Sequence, residues 1–343
     1  MIFNESQISR LGELILKSES IVLIPHKNSD GDAIGSILGW WNLFKNKGLN
    51  ATVVVPDAVP DNLQWMKGAN EIVVHENDPQ KSKEALKHSD LLFLMDFNNL
   101  QRCGSLADIV STLNTTRVLI DHHPDPVWGV ADLIFSEIGV SSTCELSYHI
   151  IKSLNWQDNV DEFSAESFYS GIITDTGSLS YNSSHPRTYM VVGELVGKGI
   201  DKDKIHKQLF QSNSLTRMRL LGHVLCNKME LMNDLEAAYI AISKDDLDNH
   251  NYKPGDTEGF VNYPLGIKGV EISAMFTEKE REKFVKVSFR SRDNTPVNLY
   301  SEKYFSGGGH AKAAGGEWNG TLRGAIEHFK KTLPDFINQI RES

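Results

Sequence analysis

Five short apolar runs constrain the fold of this chain more than any other feature: SIVLI at 20–24, ATVVV at 51–55, IVV at 72–74, LLFLM at 91–95 and RVLI at 117–120. None alternates apolar with polar residues, so each reads as a strand buried on both faces, as in a parallel sheet covered by helices. Helical stretches fall between and after them, at Ile8–Lys17, Ala33–Lys47 (with Gly48 as a stop), Gln80–Lys87, Leu106–Leu113, Ser142–Leu154 and Phe163–Ile173. Strand and helix alternate to about residue 195. The expected class is α/β, a doubly wound parallel sheet.

A second, smaller α+β domain is expected beyond this. Leu215, Met218, Leu221, Val224, Leu225 and Met229 recur at helical spacing and read as a helical connector. Strands are expected at Ala237–Ile242, Val270–Phe276 and Phe284–Phe289, a glycine-rich loop at 306–316, and a last helix at Leu322–Arg341. The expected division is 1–205, a connector 206–232, and 233–343.

No segment approaches the ~20 consecutive apolar residues of a membrane span, and MIFNESQISR does not read as a signal peptide. Cys103, Cys144 and Cys226 lie far apart with no CxxC spacing, which fits a cytoplasmic protein without disulfides or a thiolate zinc site. The net charge of −10 argues against a grip on long nucleic acid, which needs a basic face. Residues 233–343 contribute only −2 of it, so the acidity is concentrated in residues 1–232.

Part of that acidity ends the apolar runs. His26, Asp30 and Asp32 follow the first, Asp96 follows LLFLM, Asp121, His122 and His123 follow VLI, and Asp175 follows GIIT. Groups at the strand ends of a parallel sheet converge on one edge, where α/β proteins place their sites. A lone Asp before Gly is usually a turn residue, and a lone His usually a satisfied core or surface group. Their joint occurrence, each after an apolar run, favours metal ligation. Asp30 and Asp32 flank Gly31 and are expected on the same side of a tight turn, serving one cation each, with Asp96 bridging. Two cations ~3.5–4 Å apart can hold a hydroxide for in-line attack on phosphorus. The oxygen-rich set suits manganese or magnesium, and the histidines tilt it toward two Mn2+. The chemistry this implies is metal-dependent hydrolysis of phosphate esters.

HKNSDGDAIGS, DFNN, DHH and TDTGS, in this order, resemble the four motifs of the DHH phosphoesterase superfamily, and FSGGGHAKAAGG resembles the signature of its DHHA1 domain. Within the superfamily the chain is most similar to the bifunctional oligoribonuclease (nanoRNase)/pAp phosphatase type. The resemblance implies one manganese on His26, Asp30 and Asp96, and a second on Asp32, Asp96, His122 and Asp175. It implies that His123 contacts the scissile phosphate or the attacking water, with Asp121 orienting its neighbours unless it merely closes its strand. Ser29 stands where the family usually has proline, which relaxes the loop and removes no ligand.

Gly307, Gly308, Gly309 and His310 could bring backbone amides to an anion, although three glycines alone more often mark a mobile loop. Arg290 and Arg292 are expected on one face of the preceding strand, where only one of them need matter; the family pattern favours Arg292 and His310 on a terminal phosphate. Arg102 is a further phosphate candidate, with a plain surface arginine as the equal alternative. Ser142 and Thr143 read as a helix cap and first turn, and Trp40, Trp41 and Phe44 as core.

Together these readings expect a phosphodiesterase or exoribonuclease that cuts short RNA of about two to five nucleotides, and pAp, between its two domains, a length range the resemblance implies. A homodimer is compatible, and no membrane partner is expected. Three alternatives stay open: a cyclic-di-AMP or pApA phosphodiesterase with the same ligands, a pyrophosphatase (disfavoured by the GGGH loop), and a nucleotide-sensing module with a decayed site.

Overall fold

The apolar runs pair side by side and all in one direction. In a computed structural model, which describes residues 3–124, 126–127, 129–253, 255–278, 284–292 and 295–342, the chain forms two compact units, Met1–Ser212 and Asn213–Ser343. The first unit runs through α1 (Glu5–Lys17), β1 (Ile21–Pro25), α2 (Gly31–Asn46), β2 (Ala51–Val55), β3 (Val73–Val74), α3 (Pro79–Lys87) and β4 (Leu91–Met95). It continues with α4 (Ala107–Thr112), β5 (Thr116–Asp121), β6 (Leu133–Ser136), α5 (Thr143–Ser153), α6 (Glu162–Asp175), α7 (Pro186–Val196) and α8 (Lys202–Phe210). Strand β6 and helices α7 and α8 were not expected from the sequence. Partly buried β6 sits at an edge of the sheet, and its burial alternates rather than running continuously.

The sheet order is β3-β2-β1-β4-β5-β6, with every neighbouring pair parallel. Successive residues of one strand serve opposite faces. Leu23 and Phe93 pack with α2, α5 and α6, whereas Val22, Ile24, Leu92 and Leu94 pack with α3 and α4 on the other face. That explains why these strands are apolar throughout. Trp40 and Phe44 pack around Phe93 in this core at tilted and edge-on angles, with centroids 5.3–5.5 Å apart. The order reverses between β1 and β4, and the crevice beyond the carboxyl ends of those strands is the expected place for a site.

Helices α2 and α6 approach unusually closely because α2 presents glycine at every fourth position. A Cβ on Gly31 would lie 2.3 Å from Thr174 Oγ1, one on Gly35 2.5 Å from the Ser167 carbonyl oxygen, and one on Gly39 2.4 Å from the Phe168 ring. Gly31 therefore does not make the tight turn expected of it. It is the first residue of α2, and glycine is required there by the neighbouring helix rather than by its own dihedral angles.

The second unit comprises α9 (Leu215–Asn227), β7 (Met229–Met232), β8 (Ala237–Ile242), α10 (Lys244–Asn249), β9 (Ile272–Glu278), β10 (Val285–Ser291), α11 (Val297–Phe305), β11 (Gly308–His310), β12 (Ala313–Trp318) and α12 (Leu322–Glu342). Its mixed sheet has the order β11-β12-β10-β9-β8-β7, in which only β8 and β9 are parallel. The helix read as a connector, α9, packs Leu220, Leu221 and Val224 against Ile240, Ile242 and Met275 within this unit. The glycine-rich stretch is a correction: it is an antiparallel strand pair, β11 with β12, rather than a loop. Its glycines admit close backbone contact, since a Cβ on Gly309 would meet the Ala313 carbonyl oxygen at 2.6 Å and one on Gly316 the Phe305 carbonyl oxygen at 2.6 Å. No helix among the described residues is long and apolar enough to cross a membrane.

Candidate metal centre

The edge predicted from the sequence gathers the acidic and imidazole groups, and each is held by a different device. His26 directly follows β1 and is buried. Its loop is fastened on both sides, by Lys27 N–H donating to the Arg102 carbonyl (2.7 Å) and by Asn28 N–H donating to the Asp57 carboxylate (2.8 Å to Oδ2). The Ser29 hydroxyl donates to the His26 carbonyl at 2.7 Å, so this residue ties the loop rather than relaxing it as expected. Asp30 is the N-cap of α2, its Oδ1 accepting from the amides of Asp32 and Ala33.

Asp32 is buried in the first turn of α2 and faces the start of α5. There the Thr143 amide donates to its Oδ2 at 2.7 Å and the Cys144 amide to its Oδ1 at 2.9 Å. A carboxylate at a helix N-terminus satisfies amides that lack partners within the helix. Gly171 on α6 leaves room for this arrangement, because a Cβ there would lie 2.8 Å from Asp32 Oδ1 and 2.2 Å from Cys144 Sγ. Asp175 is the last residue of α6.

Asp96 follows β4 with a φ of +66°, a left-handed conformation costing about 1–2 kcal/mol outside glycine. Its amide still donates to the Ile120 carbonyl at 3.0 Å, and the chain then turns the carboxylate inward. Oδ2 lies 3.4 Å from His26 Nε2, while Oδ1 lies 3.7 Å from both His122 Nε2 and His123 Nδ1. The Thr143 hydroxyl donates to Oδ1 at 2.8 Å. His122 Nε2 also lies 3.7 Å from Asp32 Oδ2 and 3.6 Å from Asp175 Oδ2. Asp121, closing β5, accepts from His123 Nδ1 at 2.7 Å through Oδ1; its buried Oδ2 has no hydrogen-bond partner among the described residues.

Among the described residues, three sets of side chains bring potential ligand atoms within 4.8 Å of one another: His26, Asp30 and Asp96; Asp32, His122 and Asp175; and Asp96, His122 and His123. Asp96 belongs to two of them, with one oxygen toward each side. The electrostatics call for cations. Burial and the neighbouring carboxylates push Asp32 well above the usual carboxylate range, and burial pushes Asp175 to about 6 despite His122. Burial opposes the charge of Asp96 too, but the surrounding histidines hold it below its ordinary value. Burial disfavours the His123 charge, yet the Asp121 hydrogen bond and the field of Asp96 raise it to about 9. Clustered oxygen and imidazole donors with excess buried negative charge suit one or more divalent cations.

The remaining candidates fall as follows. Arg102 lies close enough for its charge to lower the proton affinity of His26 and of His123. Arg292 and Gly308–His310 belong to the second unit. Arg292 is exposed and donates to the Leu265 carbonyl, Arg290 donates to the Phe289 carbonyl at 2.9 Å, and the side chain of His310 lies outside the described residues. Ser142 caps α5 as read, but Thr143 does more than occupy the first turn, since it touches both Asp32 and Asp96. The sequence reading missed this, along with Asp57 and buried Glu145. The last accepts from Ser141 N–H (2.9 Å), Ser141 Oγ (2.5 Å) and Thr188 Oγ1 (2.9 Å), and so fixes the start of α5. The signal available was SSTCE, a hydroxyl cap with Glu three residues on.

The family model described as "DHH family, N-terminal domain" matches residues 20–172, and that of the DHHA1 domain matches residues 234–339. The chain is 25% identical to the bifunctional oligoribonuclease and PAP phosphatase NrnA of Bacillus subtilis, over 87% of this chain and 88% of the relative. It is 27% identical to the cyclic-di-AMP phosphodiesterase PdeA of Listeria monocytogenes, covering 89% of this chain and 45% of that protein. A solved structure of an exopolyphosphatase-related protein from Bacteroides fragilis matches at a TM-score of 0.93 and 34% identity, over 98% of each chain. On the ordered motifs, the acidic edge of the parallel sheet and these likenesses, the chain belongs to the DHH family and carries a DHHA1 domain.

Proposed function

We propose that the protein is a manganese-dependent phosphoesterase that hydrolyses short oligoribonucleotides of about two to five nucleotides to mononucleotides, and pAp to AMP. The observation that carries this reading is Asp96, whose two carboxylate oxygens face two separate ligand sets. His26, Asp30 and Asp96 would hold one cation, and Asp32, Asp96, His122 and Asp175 the other. When bound, the pair supplies Lewis acidity to the phosphate and lowers the pKa of water.

The chain's own groups do the rest. Thr143 fixes the rotation of the Asp96 carboxylate and, through its amide, that of Asp32. Asp121 accepts from His123 Nδ1 and so holds the ring, leaving Nε2 for contact with the scissile phosphate or the attacking water. Arg102 adds positive charge on the same side. Arg292, with the Gly308–Gly309 backbone and His310, would bind the far phosphate. The names of the relatives from Bacillus subtilis and Listeria monocytogenes support the substrate class. Cytoplasmic residence is part of the proposal, in keeping with three unpaired cysteines.

Incubation of the purified protein with manganese and, separately, linear pApA, pAp and cyclic di-AMP tests it. Rapid release of AMP from pApA, weaker action on pAp and little on the cyclic form support the oligoribonuclease reading. Preferential opening of the cyclic substrate would move the protein to second-messenger turnover.

A further inference from the structure

We propose that Tyr181 is a stacking platform for the nucleobase next to the scissile phosphate, and that it makes the centre selective for nucleotides over simpler phosphodiesters. The proposal rests on the phosphodiesterase reading above. Immediately after Asp175 and Thr176 the chain takes one turn of left-handed backbone, with φ of +53°, +58° and +63° at Gly177, Ser178 and Leu179. Two of these three residues are not glycine, and L-residues avoid this conformation.

The turn is over-determined by its bonds. The Ser178 amide donates to the Ile173 carbonyl (2.8 Å), Leu179 N–H to Thr176 Oγ1 (3.0 Å), and Tyr181 N–H to the Thr176 carbonyl (3.1 Å). Asn182 Nδ2 donates to the Ser141 carbonyl at 3.3 Å, fastening the turn to the segment that leads into Thr143.

The turn brings an aromatic ring back over its first residue. The Cζ, Oη and Cε2 atoms of Tyr181 lie 2.2–2.4 Å from where a Cβ on Gly177 would be, so the ring edge lies over this glycine. Gly177 is two residues from Asp175. Tyr181 nevertheless remains 56% exposed. An exposed ring that follows a costly turn directly after Asp175, a candidate ligand of the centre, has the chemistry to stack a base. Such stacking tolerates any sequence because every base has a π-face.

The test is the ratio of kcat/KM for pApA to that for the same dinucleotide lacking the base beside the cleaved linkage, with manganese. It is measured in wild type, Tyr181→Phe and Tyr181→Leu. Leucine keeps an apolar contact over Gly177 without a π-face, and phenylalanine keeps the ring. The expected result is a wild-type preference for pApA that phenylalanine retains and leucine lowers by about tenfold. A preference unchanged in Tyr181→Leu, or equal losses on both substrates, would overturn the proposal while leaving the phosphodiesterase reading intact. Wild-type protein that cleaves neither substrate would overturn both.

Discussion

Replacing Gly35 with alanine sets two effects of opposite sign against each other. Helix propensity alone favours alanine in the interior of α2 by about 1 kcal/mol. Packing opposes it, because the new Cβ would lie 2.5 Å from the Ser167 carbonyl oxygen and 3.1 Å from the Gly171 amide nitrogen. Both are backbone atoms, so no rotamer change relieves the overlap. Ordinary contact begins near 3.4 Å, which requires α2 and α6 to part by roughly 1 Å. Overpacking of this kind costs about 1–3 kcal/mol, and a backbone obstacle belongs at the upper end. The net effect is a loss of about 2 kcal/mol, or a fall of about 4–8 °C in the melting temperature of a unit this size. Because α2 carries Asp32 and α6 carries Asp175, the same movement should weaken manganese binding more than tenfold, given that ligand distances tolerate about 0.2 Å. Calorimetric melting of the metal-free proteins and titration with Mn2+ measure both. Gly193→Ala in α7 is the control, since a Cβ there meets nothing within 4 Å, and it should gain up to about 1 kcal/mol. Gly35→Ala melting at or above wild type, alongside the control, would refute the close-packing account.

Other outcomes follow from the groups around the centre. Thr143→Val removes the hydroxyl from Asp96 Oδ1 and should weaken manganese affinity about 10–100-fold, while Thr143→Ser should stay near wild type. Titration calorimetry separates the two. In the metal-free protein the His123 imidazole should titrate by NMR near pH 9, and Asp121→Asn should lower that midpoint. Since the folded value is raised, the stability His123 contributes is full below its unfolded value near 6.5 and is lost as pH rises through about 9. Glu145 behaves oppositely: burial opposes its ionisation, but bonds from His149, Ser141 and Thr188 hold it at about 2. Its contribution is present above about pH 4.5 and disappears as pH falls through about 2, and Glu145→Ala should flatten that limb of a stability–pH profile from urea melts.

The parallel sheet was legible because strands buried on both faces must be apolar throughout, as LLFLM is. The ligand candidates were legible because they follow those strands. The glycine-rich pair β11–β12 was not, since glycine at 307–309 is equally the mark of a loop, and only the backbone pressed against it distinguishes the two. The roles of Thr143 and Glu145 were hidden for another reason. SSTCE is a sound helix start on its own, and nothing local says that its amides and hydroxyl face carboxylates from α2 and from the end of β4. Similarly, Gly31, Gly35 and Gly39 form a visible four-residue repeat, but the partner helix lies more than 120 residues away in the chain. Long-range contacts of this kind leave half their signal in a distant segment.

The most direct test of the central claim is the rate of AMP release from pApA as a function of Mn2+ concentration, in chelator-stripped wild type and in Asp96→Asn. The account predicts no activity without metal, recovery as manganese is restored, and a loss of at least about a thousandfold in Asp96→Asn at any manganese concentration. Turnover by the stripped enzyme, or an Asp96→Asn variant that works like wild type, would contradict it.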